Sequence, residues 1–346
     1  MSQTASSPKR KGKSLPSTFI IKLGKFVWTS MWHVMMSQLA PRNKTGDYIR
    51  PESFFRQQIG TDKTHAYPAV AGRYRLYVGL GCPWAHRTLV VRALKGLEDA
   101  IAISIVSPSP TEGGWVFEQA DEGCHTLAEL YRLADANYSG RATVPVLWDT
   151  QTKTIVNNES ADIIVILNSA FNEFAHHADQ DLYPESLREI IDRWNDKIYH
   201  AVNNGVYRCG FAQTQEAYDK ACNELFSVLD EIDATLANHR YLCGAQITLA
   251  DVRLFTTLFR FDAVYHGLFK CNRRRIKDYE HLGHYLRDVY QQPGVADICD
   301  VDAIKRDYYG SLFPLNPGGI IPSGPDMTSL LEPHGRESVG REAALS

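Results

Sequence analysis

The chain has 346 residues, of which 44% are hydrophobic and 22% are charged, and its formal net charge is -3. This length can bury a large core and favours two domains. The near balance of the two signs gives no electrostatic reason to expect nucleic acid or a membrane as a partner. The seven cysteines include no CxxC pair, so they predict neither a disulfide framework nor a zinc site. They favour a reducing compartment.

The N-terminal segment differs in composition from the rest of the chain. Residues 1–46 contain eight Lys and Arg but no Asp or Glu. Such a start is typical either of a disordered basic arm or of a weak organelle-targeting segment, and we favour the arm because arginine is sparse. The uncharged run over residues 26–41 is shorter than the roughly 20 residues that a spanning helix needs. We therefore predict a partly disordered extension over residues 1–70 and no transmembrane segment.

The pattern of residues 71–171 predicts an α/β domain. A strand, a helix with proline at its first position and a second strand come first, and a right-handed crossover makes these two strands parallel. A loop is predicted at residues 113–115. The predicted elements follow the order βαβαββα and cover residues 74–78, 83–97, 100–106, 127–136, 143–148, 153–156 and 159–171.

Helical periodicity dominates beyond a predicted linker over residues 172–186. The predicted helices cover residues 187–204, 215–236, 249–267 and 279–291. We assign residues 187–312 to an all-helical domain. Residues 313–346 are rich in Gly, Pro and Ser and predict a tail that is loose or bound to the surface. The predicted fold class is thus α/β plus all-α.

Cys82 lies between a predicted strand end and a predicted helix start, immediately before Pro83. Backbone N–H groups and the positive end of the helix dipole face a sulfur at such a position, so we expect a thiol of lowered pKa that acts as a nucleophile. The alternative is a buried cysteine that fills space at the turn. A dithiol oxidoreductase has a second cysteine three positions later, where this chain has Ala85. A mixed disulfide at Cys82 therefore needs an external thiol, and glutathione is the natural candidate in a reducing cell.

Two further segments are suited to a peptide-like ligand. Pro145 is either an ordinary strand-start proline or a cis-proline that turns the N–H and C=O of Val144 towards a ligand. Glu159 and Ser160 begin a predicted helix, where Glu159 suits an α-ammonium group and Ser160, with the helix-start N–H groups, suits a carboxylate. Taken alone, that pair is better explained as a helix cap.

Together these features resemble the glutathione transferases, which have a thioredoxin-like N-terminal domain and an all-helical C-terminal domain. The resemblance covers about residues 45–322. Within that family it is most specific to the Xi class, the glutathionyl-hydroquinone reductases. The matching segments are Gly81-Cys82-Pro83-Trp84-Ala85-His86-Arg87, Gly113-Gly114-Trp115, Ser139-Gly140-Arg141, Thr143-Val144-Pro145-Val146-Leu147-Trp148-Asp149, Asn158-Glu159-Ser160-Ala161-Asp162, Asn203-Asn204-Gly205-Val206-Tyr207, Phe259-Arg260-Phe261-Asp262, Phe269-Lys270-Cys271-Asn272 and Asn316-Pro317-Gly318-Gly319-Ile320.

The resemblance implies a role for each site residue. Cys82 would be the nucleophile, and Tyr207 and Tyr308 would hydrogen-bond the hydroquinone hydroxyl and assist protonation of the ring; the adjacent Tyr309 is the alternative to Tyr308. Arg260 and His266 are weaker candidates for the substrate pocket, and a core ion pair between Arg260 and Asp262 is the alternative for the arginine. The implied glutathione site consists of Trp115, Arg141, Val144, Glu159 and Ser160.

The reaction implied by the resemblance is the reduction of a glutathionyl-hydroquinone through a Cys82–glutathione disulfide, which a second glutathione resolves. Glutathione would be the co-substrate, with no metal or nucleotide cofactor, and the protein would be a homodimer. The expected compartment is the cytoplasm, or the mitochondrion if the basic N-terminus directs import. One alternative is an omega-like thioltransferase or dehydroascorbate reductase. The other is a glutathione-binding scaffold without enzyme activity.

Overall fold

We describe the protein from a computed structural model, over residues 17–40, 48, 52–62, 64–109, 111 and 113–340. The chain divides into two compact units, Met1–Pro41 and Arg42–Ser346. The described part of the first unit is one helix, α1 (Thr18–Leu39), which Ser17 caps by accepting a hydrogen bond from the N–H of Ile20. The extension that we predicted as partly disordered thus contains a helix of 22 residues. In the described ranges, no helix has the length and apolarity to cross a bilayer.

The second unit contains a six-stranded mixed sheet in the spatial order β4-β3-β2-β1-β5-β6. β1 and β2 are parallel, and the other neighbouring pairs are antiparallel. α2 and α4 pack against each other beside the sheet. The elements are β1 (Tyr74–Val78), α2 (Pro83–Lys95), β2 (Ile101–Pro108), β3 (Trp115–Asp121), β4 (Cys124–Thr126), α3 (Leu127–Ala134), β5 (Val146–Asp149), β6 (Thr154–Asn157) and α4 (Ser160–Ser169).

The predicted α/β fold class is confirmed, but the predicted element order is wrong between β2 and α3. We expected a loop around Trp115, whereas Trp115 begins a strand that pairs with β2 and then with β4. Gly113 and Gly114 make the connecting turn with φ of 74° and 77°, where glycine is favoured. The N–H of Ser109 donates to the carbonyl of Gly114 at 2.9 Å and closes this turn.

The rest of the second unit is mainly helical, as predicted. The helices are α5 (Arg188–Ile198), α6 (Gly205–Gly210), α7 (Gln215–Leu236), α8 (Leu249–Arg260), α9 (Leu282–Tyr290) and α10 (Val301–Ser311). The predicted helices over 187–204 and 249–267 each end in a π-helical turn, Tyr199–Asn203 and Phe261–Tyr265. We did not predict α10, which Asp300 caps by accepting a hydrogen bond from the N–H of Ala303.

The C-terminal tail is held on the helices as far as residue 340. The guanidinium of Arg336 donates to the carbonyls at the end of α7 and just beyond it, including Leu236 at 2.8 Å and His239 at 2.6 Å. Gln291 donates to the carbonyls of Leu330 and Glu332, each at 2.7 Å. Of the two predicted states of the tail, the structure has the one bound to the surface. The predicted bounds of 71–171 and 187–312 stay predictions.

Candidate active site

The turn that carries Cys82 joins β1 to α2. Cys82 is the N-cap residue of α2, and Pro83 follows at the first helical position, where its missing N–H costs nothing. The N–H of Cys82 donates to the carbonyl of Gly79 at 3.0 Å, which closes the turn. The thiol is half-buried and donates to the carbonyl of Val144 at 3.6 Å. Its position at a helix N-terminus is one that favours negative charge on sulfur.

Arg260 holds this turn from the helical half of the unit. It is fully buried, and its guanidinium donates to the carbonyls of Gly81 at 2.9 Å and Leu80 at 2.8 Å. A third contact joins it to Nδ1 of His86 at 2.9 Å. Arg260 thus satisfies two carbonyls of the nucleophile turn, and we expect it to position Cys82 rather than to line a substrate pocket.

The alternative that we gave for Arg260, a core ion pair with Asp262, is wrong. Asp262 instead accepts the N–H groups of Ile276 at 2.8 Å and Lys277 at 3.2 Å. It therefore anchors the loop before α9, while Arg260 points towards the Cys82 turn.

Asp307 of α10 holds the same turn from another direction. Its carboxylate accepts the N–H of Gly81 at 2.8 Å. Burial raises the pKa of Asp307, and the hydrogen bond from Gly81 opposes that shift. A Cβ at position 81 would lie 2.5 Å from the Asp307 side chain, so only glycine fits this close approach. Asp307 could not be predicted from the sequence, because no local pattern connects it with a turn far away along the chain.

Cys82 opens into a cleft of about 540 Å³. Four of the predicted site residues border this cleft together, namely Cys82, Trp115, Arg141 and Val144. Trp115 packs on the Cys82 turn, since a Cβ on Gly79 would lie 2.3 Å from its ring. The Val144–Pro145 peptide bond is cis, which is the second of the two forms we considered.

Glu159 and Ser160 are not among the described residues that border the cleft. Glu159 is the N-cap of α4, where its carboxylate accepts the N–H of Ala161 at 3.0 Å, so the helix-cap interpretation is confirmed. Its other carboxylate oxygen accepts the hydroxyl of Ser53 at 2.9 Å. Ser160 is 2% exposed and contacts Arg87. Ser53 and Asn158, the neighbours of Glu159, do border the cleft, and Ser53 could not be predicted from sequence because it lies in the extension.

Three tyrosines from different elements join their hydroxyls into one cluster. The Tyr308 hydroxyl lies 2.5 Å from that of Tyr207 and 2.9 Å from that of Tyr265. The structure thus brings the two predicted tyrosines together and adds Tyr265, which we did not predict. Tyr48, which borders the cleft, packs near Tyr207 with the ring centroids 6.5 Å apart. The cluster therefore lies next to the cleft without forming its wall.

Burial keeps the phenols of this cluster in the neutral form. Desolvation raises the pKa of Tyr265 to about 12 and raises those of Tyr207 and Tyr308 well above the ordinary value of 10. An electrostatic interaction with Cys82 also raises the pKa of Tyr207. A neutral phenol remains able to donate a proton at neutral and alkaline pH.

His266 belongs neither to the lining of the cleft nor to the tyrosine cluster. It lies just beyond the π-helical turn, is half-buried, and is not among the described residues that border the cleft. The substrate-pocket role suggested for it has no geometric support.

Two family models match the chain. The glutathione S-transferase N-terminal domain matches residues 81–170, which include the Cys82 turn and the cleft residues of the sheet. The glutathione S-transferase C-terminal domain matches residues 215–288.

Similar proteins match over most of the chain. Glutathionyl-hydroquinone reductase YqjG of Escherichia coli K12 is 46% identical, covering 90% of this chain and 97% of that protein. Its glutathione-bound structure superposes with a TM-score of 0.77 at 47% identity, covering 82% of this chain and 96% of that one.

Two other relatives give the same result. Glutathionyl-hydroquinone reductase PcpF of Sphingobium chlorophenolicum is 44% identical, covering 86% of this chain and 94% of that protein. The Xi class GST from Natrialba magadii has a TM-score of 0.78 at 48% identity, covering 82% of this chain and 89% of its own. The chain therefore belongs to the glutathione transferases, in the Xi class that includes the glutathionyl-hydroquinone reductases.

Proposed function

We propose that this protein reduces glutathionyl-hydroquinones to hydroquinones at the expense of glutathione. The observation that carries the proposal is the position of Cys82. It caps a helix, opens into a cleft that Trp115, Arg141 and Val144 also border, and lies within electrostatic reach of a cluster of neutral tyrosines. Such a site combines a sulfur nucleophile with proton donors.

The sulfur chemistry proceeds in two exchanges. The Cys82 thiolate attacks the sulfur of the aryl thioether, the carbon–sulfur bond breaks, and a Cys82–glutathione disulfide forms. The electron pair of the broken bond stays on the ring, which takes up one proton and leaves as the hydroquinone. A glutathione thiolate then attacks the disulfide, releasing oxidised glutathione and the Cys82 thiolate. In total, one glutathionyl-hydroquinone and one glutathione give one hydroquinone and one oxidised glutathione.

Glutathione is proposed to lie along the cleft, with Val144 pairing its backbone and Arg141 pairing a carboxylate. Trp115 would pack along its length. Glu159 and Ser160 are proposed to complete the γ-glutamyl subsite. In the described structure Ser53 hydrogen-bonds to Glu159, so the extension around Ser53 must form part of that subsite or yield to the ligand.

The tyrosine cluster is proposed to supply the ring proton. Tyr207 and Tyr308 would hydrogen-bond the ring hydroxyls, which favours the ketone tautomer from which the carbon–sulfur bond breaks. Tyr265 hydrogen-bonds Tyr308 and would orient it. Because burial raises the pKa of all three phenols, each is neutral and able to donate in the working pH range.

We also propose an oligomeric state and a cellular compartment for the protein. We propose a homodimer, as the family resemblance implies, and light scattering on the purified protein tests it. We propose the reducing cytoplasm, where the seven free cysteines stay as thiols.

The test is a turnover assay with a glutathionylated hydroquinone and excess glutathione. Wild type should release hydroquinone and oxidised glutathione one to one, and Cys82→Ser should lower the rate by at least about a thousandfold. Cys209→Ser is the matched control, since Cys209 is a buried thiol of α6. Mass spectrometry without added glutathione should find one glutathionyl group, on Cys82.

The other outcomes distinguish the alternatives. If Cys82 traps glutathione and turns over small disulfides but leaves the aryl thioether intact, the protein is an omega-like thioltransferase. If neither reaction occurs while glutathione still binds, the protein is a scaffold, and the proposal is overturned.

A further inference from the structure

The charge of this chain is divided unevenly between its N-terminal segment and the rest of the chain. Residues 1–46 hold eight of the 37 Lys and Arg and none of the 40 Asp and Glu, a formal charge of +8. The remaining 300 residues hold 29 Lys and Arg against those 40 acids, a formal charge of -11. The net charge of -3 is the sum of these two opposite charges. It therefore does not reveal the basic N-terminal segment, which attracts anionic surfaces.

The helix in this segment, α1, carries an apolar stripe that the described structure leaves exposed. The stripe consists of Ile20, Leu23, Val27, Met31 and Val34, whose spacing of three or four residues places them on one face of a helix. Each of the five side chains is between 47% and 59% exposed.

Exposed apolar side chains are concentrated on α1. Nine of the eighteen exposed large hydrophobic residues in the described ranges belong to this helix. Scattered exposed apolar residues need no explanation, whereas a contiguous patch marks an interaction surface.

The opposite face of α1 carries most of its polar and basic side chains, together with Met36, which is buried. Thr18, Lys22, Lys25, Thr29 and His33 follow the same helical spacing on that face, and all are exposed. Phe19 and Phe26 lie along one border between the faces, and Trp28 lies along the other; all three are exposed. An apolar face, a basic polar face and aromatic residues between them are the features of a helix that lies in the plane of a membrane interface.

We propose that α1 docks the protein on an anionic membrane surface, with the Ile20–Val34 stripe in the acyl boundary and Lys22 and Lys25 at the headgroups. Four further basic residues, Lys9, Arg10, Lys11 and Lys13, precede the helix in sequence and add to the attraction. The body of the protein, residues 47–346, has a formal charge of -11 and is repelled by the same surface. The segment suited to contact the membrane is therefore α1. The proposal departs from the expectation of no membrane partner, which rested on the net charge of the whole chain.

The test is flotation of the full-length protein with lipid vesicles. One set contains phosphatidylcholine alone, and the other contains roughly three tenths phosphatidylserine. We expect binding to the second set, reduced at roughly 0.5 M salt, where screening shortens the electrostatic range to a few ångströms. Val27→Glu/Met31→Glu should weaken that binding by about tenfold or more, because it places two charges in the apolar stripe.

The matched control is Thr29→Glu/His33→Glu, which adds the same two acidic side chains at the same spacing on the polar face. It should lose much less binding than the stripe variant. All three proteins should release hydroquinone equally in the turnover assay, which shows that the body is folded.

Three outcomes would overturn the proposal. Wild type that floats with neither vesicle set lacks membrane affinity. Equal loss in the two double variants means that charge alone, and not the apolar stripe, makes the contact. If the stripe variant halves the molar mass by light scattering while vesicle binding is unchanged, a second copy of the chain covers the stripe.

Discussion

The turn that carries Cys82 is held through main-chain atoms, whereas the cluster of Tyr207, Tyr265 and Tyr308 is held through its own hydroxyls. The turn contributes two carbonyls and one N–H to charged side chains, Arg260 and Asp307. The cluster is neutral, and burial raises the pKa of each phenol. The difference shows how one site can hold a sulfur nucleophile and a proton donor side by side: charged side chains hold the turn, while neutral phenols hold one another.

Apart from the loss of Cys82 itself, the largest expected effect comes from the centre of the tyrosine cluster. Tyr308→Phe removes the hydroxyl that contacts both other phenols, and we expect kcat for hydroquinone release to fall by about a hundredfold. The reduction of a small glutathione disulfide needs no ring proton and should change little. Both rates are measured by chromatography on the same preparation.

Tyr309→Phe is the control for Tyr308. Tyr309 is the adjacent residue, and its hydroxyl donates to the carbonyl of Ala263 at 3.3 Å outside the cluster. We expect a rate within about twofold of wild type. Equal losses for the two variants would show that removing any hydroxyl from α10 disturbs the site, and the comparison between turn and cluster would fail.

The next effect concerns the turn. Arg260→Leu leaves the carbonyls of Leu80 and Gly81 without their buried donor, and we expect about 3 kcal/mol of lost stability in urea unfolding. Misplacement of the sulfur should lower both reductase and disulfide activity by roughly thirtyfold. The loss of both activities distinguishes this variant from Tyr308→Phe.

Arg193→Leu controls for the loss of one arginine. Its guanidinium side chain is 70% exposed and contacts only Glu189 at 3.7 Å among the described ion pairs. Stability should stay within about 0.5 kcal/mol of wild type. An Arg260→Leu protein that kept full stability and both activities would rule out the positioning role.

A smaller effect is expected at Asp307. Asp307→Ala removes the acceptor of the Gly81 N–H and should lower kcat/KM by about tenfold, whereas Asp307→Asn keeps an acceptor and should recover most of the rate. Asp302→Ala, an exposed change on the same helix, should have no effect. Failure of the asparagine variant would mean that the charge of Asp307 matters and not its hydrogen bond.

The smallest effect is on the pH profile. A phenol is protonated below its pKa, so a raised pKa extends the donating form to higher pH. With Tyr265 at about 12 and the other two well above 10, kcat should show no alkaline fall up to about pH 10. A decline centred below pH 10 in wild type, absent in Tyr308→Phe, would contradict the neutral cluster.

Helices and strands could be predicted from the sequence where the spacing of apolar residues and the residues at the ends of the element indicate the same structure. The strand–Cys82-Pro83–helix unit follows from a short run of aromatic and aliphatic residues, a Gly-rich turn and a helix-start proline. The β3–β4 hairpin was missed because Glu118 and Gln119 interrupt its apolar pattern and β4 has only three residues. Short strands depend on tertiary pairing more than on their own sequence.

The long-range contacts of the site were not predictable from spacing. Nothing near Arg260 or Tyr265 in sequence shows that one reaches the Cys82 turn and the other joins Tyr308. Each residue is also consistent with an ordinary buried position, and only the folded chain distinguishes the two. The family resemblance suggested Tyr207 and Tyr308, whose hydroxyls the structure brings together, because a family pattern retains information about contacts that one sequence does not display.

The close approach of Gly81 and Asp307 has a consequence for how such sequences diverge. The two positions are 226 residues apart, yet the side chain of one occupies the space that any side chain at the other would need. Neither can change freely while the other is kept. Among homologues, a residue larger than glycine at position 81 should therefore occur only with a shorter residue at position 307, and the two columns of an alignment should vary as a pair.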